Sequence, residues 1–362
     1  MPNDHFVPRH YLRRFAVGGT ELIARATVSP YKLLGANGIG GECCEDDFYE
    51  NDAGLNKLLW ATENGLAPLL VRVTEKEAFD GKELSALQGL AVILHLRTRK
   101  ESEIAKEFPR KMVHEVIGGA IERGELPPPP GGRLTDEMFD ITGMSGLLIE
   151  QALPCWMEML SLDCKLLRAA DQVYFITSDN PAVIINQFCA GHDSIRSFAG
   201  FSQTGFQLVL PISPKLCLFF YDPKVYKVGN RKDQLVRIAK EDVEIVNALQ
   251  VQSAAERLYF HDVKLGQDIQ RLVALNSHLR VPISDSLRVM PGPAPNQEIL
   301  HVRTPAAKLP AVWGFCRYRR HIKLKPGDRR NPALTELADR LIQDLKNNPH
   351  GEDFPTRLER LI

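Results

Sequence analysis

Between residues 52 and 75, Leu55, Leu59, Thr62, Leu66, Leu70 and Val73 recur every three or four positions. That period puts them on one face of a helix, with Glu63 at the edge of the stripe. The next segment, "KELSALQGLAVILHLRTRK", is apolar on nearly every side from Leu84 to Leu96. A helix with no polar face is normally central and buried, and this one delivers His95, Arg97 and Arg99 at its far end. "KEFPRKMVHEVIGGAIERGEL" predicts another helix, stopped by the stiff "PPPPGG" at 127–132, and residues 134–162 again read as mostly helical.

The period then changes. "CKLLRAADQVYFITSDNPAVIIN" and "GFQLVLPISPKLCLFFYD" are rich in β-branched and aromatic residues, with Pro, Asp, Asn and Ser at the turns. Residues 239–275 return to helix. Near the start, "GTELIARATVSPYKLL" predicts a short strand and a turn ending at Ser29-Pro30, and "GANGIGG" a glycine-rich loop without phosphate-loop spacing. From about residue 280 the chain is Pro-rich and turn-prone. A strand-like basic segment and an amphipathic helix, "PALTELADRLIQDLKN", follow, with Thr335 or Asn331 as cap. The expectation is an α+β fold, with a helical N-terminal half packed on an antiparallel β-rich middle. Residues 1–275 form the main domain and 276–362 a C-terminal extension.

The 362 residues carry 45 basic and 45 acidic side chains. Zero net charge argues against a whole-molecule footprint for nucleic acid and leaves room for a local patch. No apolar run is long enough to span a bilayer, so no membrane partner is expected. The seven cysteines are scattered, without a C-x-x-C pair. With no secretory signal in the sequence, reduced thiols in a cytoplasmic protein are the economical expectation.

The N-terminal stretch "HFVPRHYLRRF", residues 5–15, is too short and too charged for a signal or an anchor. Pro8 holds Val7 extended, and "RHYLRRF" can then form about two helical turns. Tyr11, Leu12 and Phe15 are expected to dock on the apolar helix 84–96, which makes the terminus a folded-in plug and leaves Arg9 and Arg13 on the far side.

Together, "HFVPRHYLRRF", "EDDFYE", "LLWATENGLAPLL", "TSDNP" at 177–181 and "LPISP" at 210–214 resemble the bacterial family catalogued as domain of unknown function 4238. The resemblance covers roughly residues 5–260. His10 stands where that family usually has an aromatic residue, and Arg99 where it usually has proline after Arg97-Thr98. The resemblance implies a shared fold and brings no activity with it.

Four polar residues flanked by apolar sequence are candidates for one site: His5, Glu63, Arg97 and Asp179. In a hydrolytic reading His5 is general base or metal ligand, and Glu63 and Asp179 hold a divalent metal such as Mg²⁺ or Mn²⁺ or share acid/base work, with Asp179 as ligand or base. Arg97 clamps the phosphate of a phosphorylated or nucleic-acid substrate. In the alternative reading the same residues are structural: turn chemistry for Ser-Asp-Asn-Pro, an ion pair for Glu63 and Arg97, a core histidine for His5. The protein is then a nucleic-acid- or protein-binding module. The basic segment 313–330 offers Arg317, Arg319, Arg320 and Lys323 to a phosphate backbone, with Trp313, Phe315 and Tyr318 between them for stacking. Its plain reading is an edge strand whose charges face water. Geometry separates the two functions: catalysis requires the four polar side chains around one cleft, and binding requires them in buried pairs with the basic segment exposed.

Overall fold

A computed structural model describes residues 3–49, 53–132, 151–190, 200–280 and 307–348, with 134, 146, 148, 149, 287–291 and 298–302. The chain opens with β1 (Asn3–His5) and α1 (Arg9–Leu12), then β2 (Leu22–Val28), β3 (Tyr31–Gly38) and β4 (Cys44–Asp46). Three helices follow, α2 (Ala53–Lys76), α3 (Gly81–Leu96) and α4 (Arg99–Glu122), and after them α5 (Ala152–Met159). The β-rich middle holds β5 (Asp163–Ala169), β6 (Thr177–Ser178), β7 (Val183–Ile185), β8 (Gln207–Pro211), β9 (Leu216–Tyr221), β10 (Tyr226–Val228) and β11 (Leu235–Ile238). It leads into α6 (Lys240–Ser253), β12 (Arg257–Phe260) and α7 (Gly266–Asn276). The C-terminal part contributes β13 (Leu287–Pro291), β14 (Glu298–Val302), β15 (Cys316–Tyr318) and α8 (Pro332–Asn347).

Five strands form the central sheet in the order β11-β5-β9-β8-β7. The pairs are antiparallel except β11 with β5, which run parallel, so the expected antiparallel sheet is mixed at one edge. Both faces of β9 are buried, and its residues alternate between two cores as a strand's period of two requires. Leu216, Leu218 and Phe220 join the core that contains α3 and the N-terminus. Cys217, Phe219 and Tyr221 join the core that contains α6, Trp313 and Cys316. The sheet is thus the middle layer, with helices on either side. A second sheet, β3-β2-β12-β6, is wholly antiparallel.

Two elements differ from the sequence expectation, and a third is seen only in part. The glycine run "GANGIGG" is partly strand, since β3 extends to Gly38 and a tight turn follows at Ile39–Gly41. Gly35 takes φ +77° beside a register shift at Arg25/Ala26, a bulge conformation that glycine adopts without steric cost. Residues 239–275 are not continuous helix. Arg257–Phe260 pairs with β2 on one side and β6 on the other, and the demand of that sheet for a strand overrides helical propensity. For the helix expected over 134–162, Ala152–Met159 is seen, and most of the remainder lies outside the described residues.

The N-terminus folds in as expected. β1 pairs with β4, and Phe6 donates its amide to the Cys43 carbonyl. Tyr11, Leu12 and Phe15 are fully buried in one core with Leu87, Leu90 and Ala91 of α3, while α1 itself lies against α2. The Tyr11 hydroxyl donates to the Pro211 carbonyl at 2.6 Å and lies 2.7 Å from Thr177 Oγ1. Arg9 and Arg13 face out. At the other end, α8 packs on α5 through Ala338 and Leu341 against Met157, and Asn331 supplies its cap. Among the described residues, no helix is long and apolar enough to cross a membrane.

Candidate functional site

Arg97 caps the C-terminus of α3 and is 3% exposed. A guanidinium taken out of water needs partners in its own plane, and it has three. Nη1 donates to Glu63 Oε1 at 2.7 Å, Nη2 to the His5 carbonyl at 2.6 Å, and Nε to the Tyr49 hydroxyl at 3.1 Å. Residues 5, 63 and 97 therefore do come together, but His5 meets Arg97 through its backbone. Its ring Nε2 lies 3.2 Å from the Gly40 carbonyl.

Two further members were not proposed for the site from the sequence. Tyr49, within "EDDFYE", is buried, and its amide is bonded to the Asp4 carboxylate. His10, which departs from the family pattern, places Nδ1 3.9 Å from Glu63 Oε2 with a side chain only 12% exposed. Burial lowers the His10 pKa to about 4; Glu63 pulls it back up, and Arg97 and Arg13 push it further down.

Asp179 belongs to another cluster. Its carboxylate accepts the backbone amides of Ala255 and Glu256 at 2.8 Å and of Arg257 at 2.9 Å. Burial pushes its pKa up, and these three bonds and Lys100 pull it down. The rest of "SDNP" is bolted to the C-terminal end of α6: Ser178 donates to Gln250, and the Ser253 hydroxyl to the Asn180 carbonyl. Lys100 and Arg280 donate to the carbonyls of Ser253, Ala254 and Ala255, which the helix itself leaves unpaired. The clusters touch through Thr98, which caps α4 and donates to Asn180 Oδ1 at 3.1 Å.

A metal shared by Glu63 and Asp179 does not fit this arrangement. Glu63 faces Arg97 and His10, Asp179 faces three amides, and among the described residues no group of three or more His, Cys, Asp or Glu is set to hold an ion. Another fully buried carboxylate, Glu42, is likewise spent. It accepts from Arg25, Arg257, Asn37 and the Tyr259 hydroxyl. Nothing in its local sequence marked it, because Arg257 and Tyr259, two of its partners, lie more than 200 residues away on β12.

The basic segment has the opposite character. Arg317, Arg319, Arg320 and Lys323 are exposed, and among the described residues none has a carboxylate partner. β15 pairs with β10 so that Arg317 lies opposite Lys227, itself exposed. Like charges directly opposite each other destabilise a strand pair. Two parts of the segment are not surface. Trp313 is buried, and with Phe315 it packs edge-on against Phe219, which leaves Tyr318 as the exposed aromatic ring of the three. Arg330 is buried, donating to Ser161 Oγ and to the carbonyls of Glu158, Phe201 and Gln203.

Fold and sites thus define an α+β protein with buried polar anchors and one exposed cationic strand. The model of the family described as "Protein of unknown function (DUF4238)" matches residues 3–126 and 132–264, and the chain belongs to that family. No curated protein and no solved structure matches it. Both polar clusters fall inside the matched region, and the basic strand falls outside it.

Proposed function

We propose that this protein binds single-stranded nucleic acid through the cationic surface formed by β15, the segment that follows it and β10, with His5, Glu63, Arg97 and Asp179 serving as structural anchors. The observation that carries this reading is the exposed set Arg317, Arg319, Arg320 and Lys323, without carboxylate partners among the described residues and joined across the strand pair by Lys227. In a chain of zero net charge, such a concentration costs self-repulsion unless an anion relieves it. Tyr318 of the same segment, 46% exposed and packed on Tyr226 across the strand pair, offers a base a stacking partner, which favours single strands over duplex. A hydrolytic role has weaker support, because the carboxylates and the guanidinium it requires already face protein donors and acceptors.

The test is fluorescence anisotropy with a labelled single-stranded oligonucleotide over a salt series. Each phosphate contact contributes about 0.7 to the slope of log affinity against log salt, so four contacts give about 3. Reversing Arg317, Arg319, Arg320 and Lys323 to Glu abolishes binding. Affinity that is absent at low salt, or unchanged in the reversed variant, defeats the proposal.

A further inference from the structure

Away from both polar clusters and from the basic strand, a groove of about 450 Å³ runs between α2, α3 and α5. That volume is in the range of small-molecule sites. Its walls are Leu66 of α2, Ala86, Gly89 and Ile93 of α3, and Leu153 and Trp156 of α5. Trp156 is held in place by donating its indole N–H to the Ser85 carbonyl at 3.0 Å. At Gly89 an added Cβ would come into ordinary contact with the Trp156 ring at 3.6 Å, so only a side chain larger than alanine would intrude further into the groove.

The polar groups of the groove on α3 gather at one end. Lys82 is exposed, with no carboxylate partner among the described residues, and Ser85 lies one turn further on. The neighbouring acids are engaged elsewhere: Asp80 caps α3, and Glu83 pairs with Arg72 and closes the capping box. From Lys82 to Ile93 the stripe runs eleven residues, about 16 Å of helix. The lining is thus a long, largely apolar groove with one exposed cation at one end, Lys82, which has no carboxylate partner among the described residues.

We infer that this groove binds a medium-chain fatty acid, its alkyl chain along Ala86, Gly89 and Ile93 and its carboxylate on Lys82. The apolar walls select the chain, and the Lys82 ammonium selects an anionic head over a neutral or cationic one.

Calorimetry and Trp156 fluorescence on the full chain test this, with decanoate, decan-1-ol and decylamine as probes. Decanoate binds one site, and decylamine at least about tenfold more weakly, the factor that 1.4 kcal/mol of head-group preference gives. Lys82→Glu reverses that preference; in the first turn of a helix a glutamate is favourable, so the variant keeps its fold. Gly89→Leu fills the groove and removes binding of all three probes, with circular dichroism confirming the helices. Failure of decanoate to bind, equal affinity for decanoate and decylamine, or indifference to both substitutions overturns the inference.

Discussion

Asp179→Asn distinguishes an anchor from a catalytic group. The carboxylate receives three backbone N–H bonds, one on Oδ1 from Ala255 and two on Oδ2 from Glu256 and Arg257. Asparagine keeps one acceptor oxygen. Placed to serve Glu256 and Arg257, it turns its own NH₂ toward the Ala255 N–H, donor against donor. Losing a hydrogen bond to a charged group costs about 1.5–3 kcal/mol, and a stranded buried amide about 1–3 more. The expected loss is roughly 3–5 kcal/mol, a large part of the 5–15 kcal/mol typical of folded proteins. Urea denaturation followed by circular dichroism measures it, with a lower midpoint and an unchanged slope expected. A catalytic Asp179 predicts the reverse: stability kept and an activity lost. If the variant denatures at the wild-type midpoint, the anchoring argument fails.

The remaining expectations concern the same buried groups. His10 stays neutral in the fold with a pKa of about 4, below its ordinary 6.5, so the unfolded chain takes up its proton first. Its contribution, at most about 3 kcal/mol, is complete above pH 6.5 and is lost as pH falls toward 4; stability measured against pH should flatten over that window in His10→Gln. Phe15→Ala empties a fully buried site of the N-terminal plug and should cost about 3–5 kcal/mol in the same denaturation assay, whereas a loose terminus would cost nothing. Arg330→Met leaves the Glu158 carboxylate, whose oxygens have no hydrogen bond among the described residues, buried without the guanidinium 3.8 Å away. It should cost about 3–5 kcal/mol, and adding Glu158→Gln should recover part of that loss; additive losses would refute the pairing.

Much of the fold was legible because the apolar pattern had one dominant period in each region. Helix α3 needed no partner to identify it, since a helix apolar on all sides has to be central. The plug was legible because Pro8 restricts the chain before it, and Tyr11, Leu12 and Phe15 share one helical face. What escaped was set by distant pairing. The strand Arg257–Phe260 is recruited by β2 and β6, about 230 and 80 residues earlier, so its local sequence still reads as helix. Trp313 and Arg330 looked like surface because they sit among arginines, yet both are buried and tie the C-terminal segment to the main cores.

The site was half legible for a physical reason. Residues that stand out as ionisable side chains in apolar sequence fit catalysis, but they also fit anchoring, since a charge taken out of water persists only with partners. Arg97 shows why sequence cannot separate the two: its fork would suit a phosphate, and it is filled instead by Glu63, Tyr49 and the His5 carbonyl. Asp179 fills three amides that the end of α6 would otherwise leave bare. Family motifs at these positions therefore report where the fold is fastened. Among the described residues, Lys82 at the helical groove and Arg317, Arg319, Arg320 and Lys323 of the basic segment have no carboxylate partner; they lie outside those motifs, and they are where a ligand has something to gain.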